Sequence, residues 1–321
     1  MWLHRFTVLL SAATVLLIAA GGMVTSTGSG LSVPDWPNTY GSFMFTFPFE
    51  KMVGGIFYEH GHRLIASTVG FLTIVLALWT WRIDPRAWVR RLAFVAVGAV
   101  ILQGLLGGIT VLLLLPAPVS IGHAAIAQLF FCMIVALAVF TSRGWQDADT
   151  SLVDRRLRQL ALTTTVLVYL QILLGATVRH TEAGMAIPDF PLAYGRLIPP
   201  VWSTAIALHF AHRIGALLVT TAVVLTVMHV RRAHRSRAQL AVPALLMTLL
   251  VFVQITLGAF VVLSGLQPIV NTAHVVNGAL VLASSLVLTL RAFRASFEPS
   301  AAAASTPSPV AHGATIVGAR P

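Results

Sequence analysis

Cysteine is nearly absent: the 321-residue sequence holds one, Cys132, inside an apolar run. One thiol can neither close an intramolecular disulfide nor build a Cys-rich zinc or iron–sulfur centre, and Cys132 reads as a small buried apolar residue. Charge is scarce as well. Asp, Glu, Lys and Arg make up 10 % of the chain, against about 25 % in a soluble domain, which excludes an ordinary water-soluble fold. Acidic residues number 10 and are rare inside the apolar runs, which disfavours the carboxylate-built sites that calcium and magnesium need.

Apolar residues fill the space, at 57 % of the sequence and a mean hydropathy of +0.86. Crossing a bilayer takes about 20 apolar residues as a helix but only about 9 to 11 as a barrel strand, and these runs have helical length. The expected fold is therefore an all-α integral membrane protein with eight transmembrane helices, at 6–24, 63–81, 92–115, 121–141, 160–178, 203–228, 240–263 and 272–291. The net charge of +11, from 21 basic and 10 acidic residues, does not point to nucleic acid, because the basic residues sit in short connectors between spans. His4 and Arg5, Arg82 to Arg91, Arg143 to Arg158, Arg231 to Arg237, and Arg291 with Arg294 all fall on one side of an eight-span drawing, while Lys51, Arg179 and Arg196 are the main basic residues opposite. The positive-inside rule places both termini in the cytoplasm of a multi-pass protein of the cell inner membrane.

The first run ends in Ala19-Ala20-Gly21-Gly22 and has the look of a cleavable signal segment, but an internal repeat requires it to stay. "STGSGLSVPDWPNTYG" at 26–41 returns as "HTEAGMAIPDFPLAYG" at 180–195, "HRLIAS" at His62 as "HRIGAL" at His212, and "QGLLGG" at Gln103 as "QITLGA" at Gln254. Spans one to four thus match spans five to eight. An even number of spans per unit gives parallel repeats, two four-helix halves related by a pseudo-twofold axis along the membrane normal. The expected divisions are an N-terminal half at 1–142, a cytoplasmic linker at 143–159, a C-terminal half at 160–294 and a disordered Ala-, Ser- and Pro-rich tail at 295–321 that carries His312. In the outer connectors at 25–58 and 179–202, Pro34-Asp35-Trp36-Pro37 and Pro188-Asp189-Phe190-Pro191 combine fixed proline φ with an aspartate able to bond nearby backbone, as structural turns or as covers over a pocket.

Four histidines hold repeated positions near the outer ends of even-numbered spans: His62, His123, His212 and His274. Ionisable groups at such depth are costly and mark pathways or cofactors, although four helix-to-helix hydrogen bonds would also account for them. Paired imidazoles from facing apolar helices suit bis-histidine haem iron, with Arg63 and Arg213 next in sequence as partners for its propionates or as snorkelling cations. Dinuclear copper or zinc fits the ligand type but not the wide apolar surroundings. The halves differ at one place: Glu59 stands three residues before His62, and His209 stands three before His212. A carboxylate adds proton-transfer capacity to one site, which assigns chemistry to the first half and electron transfer to the second. Gln103, Gln171 and Gln254 read as interhelical hydrogen-bonding residues, and the Gly-rich stretches at 106–108 and 174–176 as sites of close helix approach.

With "GGMVTSTGSGLSVPDWP" from Gly21, "EHGHR" at 59–63, "GHAAIAQ" at 122–128, "GATVRHTEAGMAIPDFP" from Gly175, "HFAHR" at 209–213 and "NTAHVVNG" at 271–278, the chain resembles the haem A synthase family across nearly all of its membrane region. The resemblance implies an eight-helix enzyme that oxidises a pyrrole methyl group of haem O to the formyl group of haem A, through an alcohol and a hydrated aldehyde that loses water. It implies that His212 and His274 ligate haem b, that His62 and His123 approach the iron of the substrate haem O, and that Glu59 acts beside them; His60 and His209 take auxiliary hydrogen-bonding roles. Haem O synthase upstream, an unidentified electron acceptor or donor, the lipid bilayer and a second copy of the chain are the implied partners, with cytochrome oxidase the eventual user of haem A. Many family members carry a cysteine pair in the first outer loop; residues 25–58 hold none, which aligns this chain with the branch that lacks it. The competing readings are a diheme cytochrome relaying electrons from quinol and a haem transporter.

Overall fold

The computed structural model describes residues 1–147 and 153–297. Part of the linker expected at 143–159 and nearly all of the tail, with His312, lie outside the described residues. Eight helices long and apolar enough to cross a membrane are present: α1 (Trp2–Ser26), α2 (Gly55–Ile83), α3 (Ala87–Leu112), α4 (Ala117–Phe140), α6 (Arg155–His180), α7 (Thr204–Ala233), α8 (Ala238–Leu263) and α9 (Pro268–Ala292), with a short α5 (Arg143–Gln146) after α4. Among the described residues there is no strand, only isolated bridges at Thr39 with Ser42 and Ala193 with Arg196.

Most of the helices start before the hydropathy limits, and three of the eight start at side-chain caps that hydropathy does not read. Asp154 accepts from the Leu157 N–H to start α6, Ser203 from Ile206 to start α7, and Gln267 from Val270 to start α9 with Pro268 in the first turn. The largest difference is in α2, which begins eight residues before the expected 63. The polar run Glu59 to Arg63 is read by hydropathy as connector, yet it is helical, so Glu59 and Arg63 lie one turn apart on a common face. At the opposite end of the molecule Phe297 packs among Trp88, Phe140 and Trp145.

The neighbour relations of the first four long helices recur among the last four: α1 with α2, α2 with α3, α3 with α4 and α1 with α4 are answered by α6 with α7, α7 with α8, α8 with α9 and α6 with α9. Each set has its own apolar core, one around Leu10, Leu76, Ile134 and Leu137, the other around Leu157, Val223, Met247 and Leu282. Phe131 and Val135 of α4 meet Ala279 of α9 between them. In α4 and α9, 50 % of the spanning window is buried, against 28 % or less in the other six, so these two helices form the centre. The outer helices turn large apolar side chains such as Leu16, Phe71, Phe94, Leu218 and Phe252 outward, a surface suited to lipid and not to water.

Candidate functional site

The four intramembrane histidines sit near the N-terminal ends of α2, α4, α7 and α9, about two turns in from each helix start. That end of the bundle is opposite the arginine-rich one. Each imidazole lies against a glycine on the neighbouring helix. A Cβ at Gly21 would stand 3.0 Å from His62 Cε1, one at Gly107 3.5 Å from His123, one at Gly175 2.9 Å from His212, and one at Gly258 3.1 Å from His274. Those glycines belong to the small-residue stretches of α1, α3, α6 and α8, and close approach is their use. Three rings also come near a backbone carbonyl of that neighbouring helix, one turn before the glycine: Leu17 for His62, Gln103 for His123 and Gln254 for His274. His62 is within electrostatic range of His123, and His212 within that of His274. The sequence pairing is thus brought together in space.

The two pairs differ in what holds them. In the second, Gln171 Nε2 donates to the His212 carbonyl at 2.8 Å and lies 3.0 Å from His212 Nδ1. Gly215 makes the room, since a Cβ there would collide with the Gln171 amide oxygen. Gln254 Nε2 donates to the His274 carbonyl at 3.1 Å and meets its Nε2 at 3.2 Å, and Asn277 Nδ2 donates to Gln254 Oε1 at 2.7 Å. In the first pair the counterparts of Gln171, Gly215 and Asn277 are Leu17, Ile65 and Ile126, all apolar. Gln103 still donates to the His123 carbonyl at 2.8 Å, but Gln103 Oε1, His62 Nδ1 and His123 Nδ1 are buried without hydrogen-bond partners. His274 Nδ1 is likewise unpartnered. Buried polar atoms without partners are costly in an apolar interior.

Above each pair, an outer loop is locked onto the helix by corresponding residues. Glu59 Oε2 accepts the Val33 N–H at 2.8 Å, and His209 Nδ1 accepts the Ile187 N–H at 3.3 Å. Arg63 donates to the carbonyls of Val33, Asp35 and Asn38, and to Glu59 Oε1 at 2.7 Å; Arg213 donates to those of Ile187, Asp189 and Leu192. The terminal nitrogens of Arg63 and Arg213, expected beside bound carboxylates, are therefore occupied by loop carbonyls. Inside each loop Asp35 accepts the N–H groups of Tyr40 and Gly41, and Asp189 those of Tyr194 and Gly195. These turns place Tyr40, Gly41, Tyr194 and Gly195 at positive φ. Burial pushes the Asp35 carboxyl up, but the Gly41 and Tyr40 amides outweigh it and hold the group below its ordinary value; the Gly195 and Tyr194 amides do the same for Asp189. His60 Nδ1 meets Thr39 Oγ1 at 3.0 Å, adding a loop contact in the first half. Trp36 presses against Gly108, next to the glycine under His123, whereas its counterpart Phe190 lies by the Arg213 guanidinium.

Arg179 and His180 form a further part of the site that repeat matching passes over, because Thr25 and Ser26 stand at their places in the first half. From the end of α6, Arg179 donates to the Gly22 carbonyl at 2.8 Å and to Ser26 Oγ at 2.6 Å, across to α1. Arg179 lies within electrostatic range of His274, and His180 within that of His123. The signal available in the sequence was the break in the repeat, an Arg-His dipeptide where the other copy has hydroxyls.

Haem fits these residues. Two pairs of imidazoles lie in apolar helices, each against a glycine, with buried ring nitrogens lacking partners and backbone carbonyls beside three of the rings. Histidines that ligate iron use such a second partner to set the ring. Close dinuclear copper or zinc needs gathered donors, and among the described residues the only group of three or more within 4.8 Å is Asp154, His229 and His234, at the arginine-rich end.

The chain is also similar to known proteins over most of its length. The chain is 31 % identical over 266 residues to the protein named Heme A synthase of Shouchella clausii (strain KSM-K16), covering 82 % of this chain and 87 % of that one. It is 34 % identical over 221 residues to Heme A synthase of Symbiobacterium thermophilum (strain DSM 24528 / JCM 14929 / IAM 14863 / T), covering 66 % and 70 %, and 29 % identical over 285 residues to that of Halalkalibacterium halodurans, covering 85 % and 92 %. Residues 4–286 match the family model COX15-CtaA, cytochrome oxidase assembly protein. With its eight apolar helices and that match spanning nearly all of them, the chain belongs to the COX15-CtaA family of cytochrome oxidase assembly proteins.

Proposed function

We propose that this chain is a haem A synthase that oxidises the pyrrole methyl group of haem O to the formyl group of haem A. The observation that carries the reading is the unequal support of two matching imidazole pairs. His212 and His274 are braced by Gln171, Gln254 and Asn277, as a permanently held group requires, and we assign them to haem b. Around His62 and His123 only Gln103 remains of that brace, with Leu17 and Ile126 at the places of Gln171 and Asn277; the looser support suits a site that must admit and release its occupant, and we assign the pair to substrate haem O. Bound haem b supplies one-electron redox capacity between substrate and an external partner.

The chain's own residues then position the substrate and handle protons. Glu59 is the carboxylate nearest the first pair in sequence, held between the Val33 amide and Arg63. It keeps the loop at 27–54 closed over that pair, and on loop opening is free to exchange a proton. Arg63 and Arg213 act on the haems through the loops they hold, while Arg179, bonded to Gly22 and Ser26 of α1 and within electrostatic range of His274, adds a cation beside the second pair. The halves at 1–142 and 160–294 are the substrate and electron-transfer units of a parallel repeat. The arginine-rich end faces the cytoplasm of a cell inner membrane, with both termini inside. Haem O synthase supplies the substrate and cytochrome oxidase takes the product.

Purified protein supplied with reduced haem O under turnover conditions should yield hydroxylated and formylated haem by mass spectrometry. Unchanged haem O with intact b-type haem would identify a diheme electron carrier instead, and release of unmodified haem across a vesicle membrane a transporter.

A further inference from the structure

Two histidines outside the haem pockets converge on one carboxylate at the arginine-rich end. His229 lies in the last turns of α7 and His234 just beyond it, and their Nε2 atoms stand 2.8 Å and 2.7 Å from the same oxygen, Oδ2 of Asp154. The other oxygen of Asp154 is separately engaged, accepting the Leu157 N–H as the cap of α6 at 2.9 Å. The three side chains are 11 to 20 % exposed, sheltered yet reachable from water. The carboxylate is fixed by its capping bond, and the two imidazoles approach its free oxygen from the neighbouring helix end.

We propose that Asp154, His229 and His234 bind one divalent cation of the zinc class. Two imidazoles and a carboxylate are borderline donors, matched to zinc or its neighbours in the first transition row and not to calcium or magnesium, which take oxygen. Ligands about 2.0 to 2.1 Å from a tetrahedral zinc stand about 3.3 Å apart; the two His–Asp separations, 2.8 and 2.7 Å, have only to widen slightly, and all three donor atoms already lie within 4.8 Å of one another. Three protein ligands leave one position for water. Arg155, Arg156, Arg231, Arg232 and Arg235 flank the three residues in sequence and oppose a cation, but all are exposed and are screened over about 8 Å at physiological salt. The bound ion would tie the start of α6 to the end of α7, the two helices whose far ends bring Gln171 to His212. The site depends on neither the haem assignment nor the reaction.

The test uses the full chain without an affinity tag, carrying its haem, in detergent at physiological salt. Titration with Co2+ should show uptake of one ion per chain with visible bands of tetrahedral cobalt, displaced by Zn2+. His229→Gln and His234→Gln should each weaken uptake by about tenfold or more, and Asp154→Asn, which keeps the helix cap, should weaken it as well. His4→Gln, at the same end of the bundle, should leave it unchanged. Zn2+ should also raise the thermal midpoint of the natural protein. No uptake at micromolar Co2+, or uptake unaltered by both histidine changes, would show that the cluster is a hydrogen-bonded clamp only and overturn the proposal.

Discussion

Glu59 and His209 do the same structural work with different chemistry: each accepts one backbone N–H from the outer loop beside it, Glu59 from Val33 at 2.8 Å and His209 from Ile187 at 3.3 Å. Only Glu59 is also joined to its arginine, Arg63, at 2.7 Å. Glu59→Gln keeps an acceptor for Val33 but removes the ionisable group and its charge pairing. It should retain haem b and a folded chain while forming little haem A from haem O. Hydrogen exchange at the Val33 amide separates the two roles. Protection close to the natural protein's, with turnover lost, marks proton transfer; protection and turnover lost together mark the loop lock. His209→Gln should reduce turnover less, and the reverse ranking would mean that the catalytic half is wrongly assigned.

Axial ligation is read from the haem spectrum. His212→Ala and His274→Ala should each abolish or strongly alter the low-spin b-type signal, since each removes one nitrogen ligand. His62→Ala and His123→Ala should keep that signal and lose haem A formation. An unchanged spectrum in both second-half variants would rule out the pair.

The glycines beneath the rings give a graded series. Gly175→Ala and Gly21→Ala put a methyl group 2.9 and 3.0 Å from His212 and His62, closer than van der Waals contact allows, so helix or ring must shift. Gly175→Ala should perturb the haem b spectrum, and Gly21→Ala should spare it while lowering turnover. Gly107→Ala, at 3.5 Å from His123, should be milder. Gly98→Ala meets nothing within 4 Å and should be neutral or stabilising by up to about 1 kcal/mol through helix propensity. Equal effects at Gly175 and Gly98, measured by spectrum and thermal midpoint, would remove the cradle as an explanation.

The outer turns should resist acid. Asp35 and Asp189 are both held below the ordinary carboxylate value by backbone amides. Their contribution is therefore complete above the unfolded value, near pH 4, and is lost as pH falls through the lower folded value. Hydrogen exchange at Tyr40, Gly41, Tyr194 and Gly195 should be equally protected, after correction for intrinsic rate, from neutral pH to about pH 4, and loosen only in stronger acid. Loosening that begins near neutrality would contradict the turn assignment.

The sequence by itself determined that this is a helical membrane protein, how many times it spans, and which four histidines correspond. Those properties rest on length, hydropathy and spacing, which are carried by consecutive residues and survive without knowledge of the packing. It left the Pro-Asp elements as turns or as covers, and the structure shows turns in which each aspartate bonds backbone five and six residues on. The tertiary structure decided what those local signals leave open. Hydropathy began the second span only at 63, after the polar run, whereas in the structure that run is helical and packing beneath the outer loops turns Arg63 and Arg213 onto loop carbonyls. The pairing of each histidine with a glycine, the additional polar brace of Gln171 and Asn277 on one pair alone, and the reach of Arg179 to α1 join residues on different helices. Such contacts depend on which helix faces meet, and burial in a bundle, unlike hydropathy, is a property of the neighbours a residue acquires.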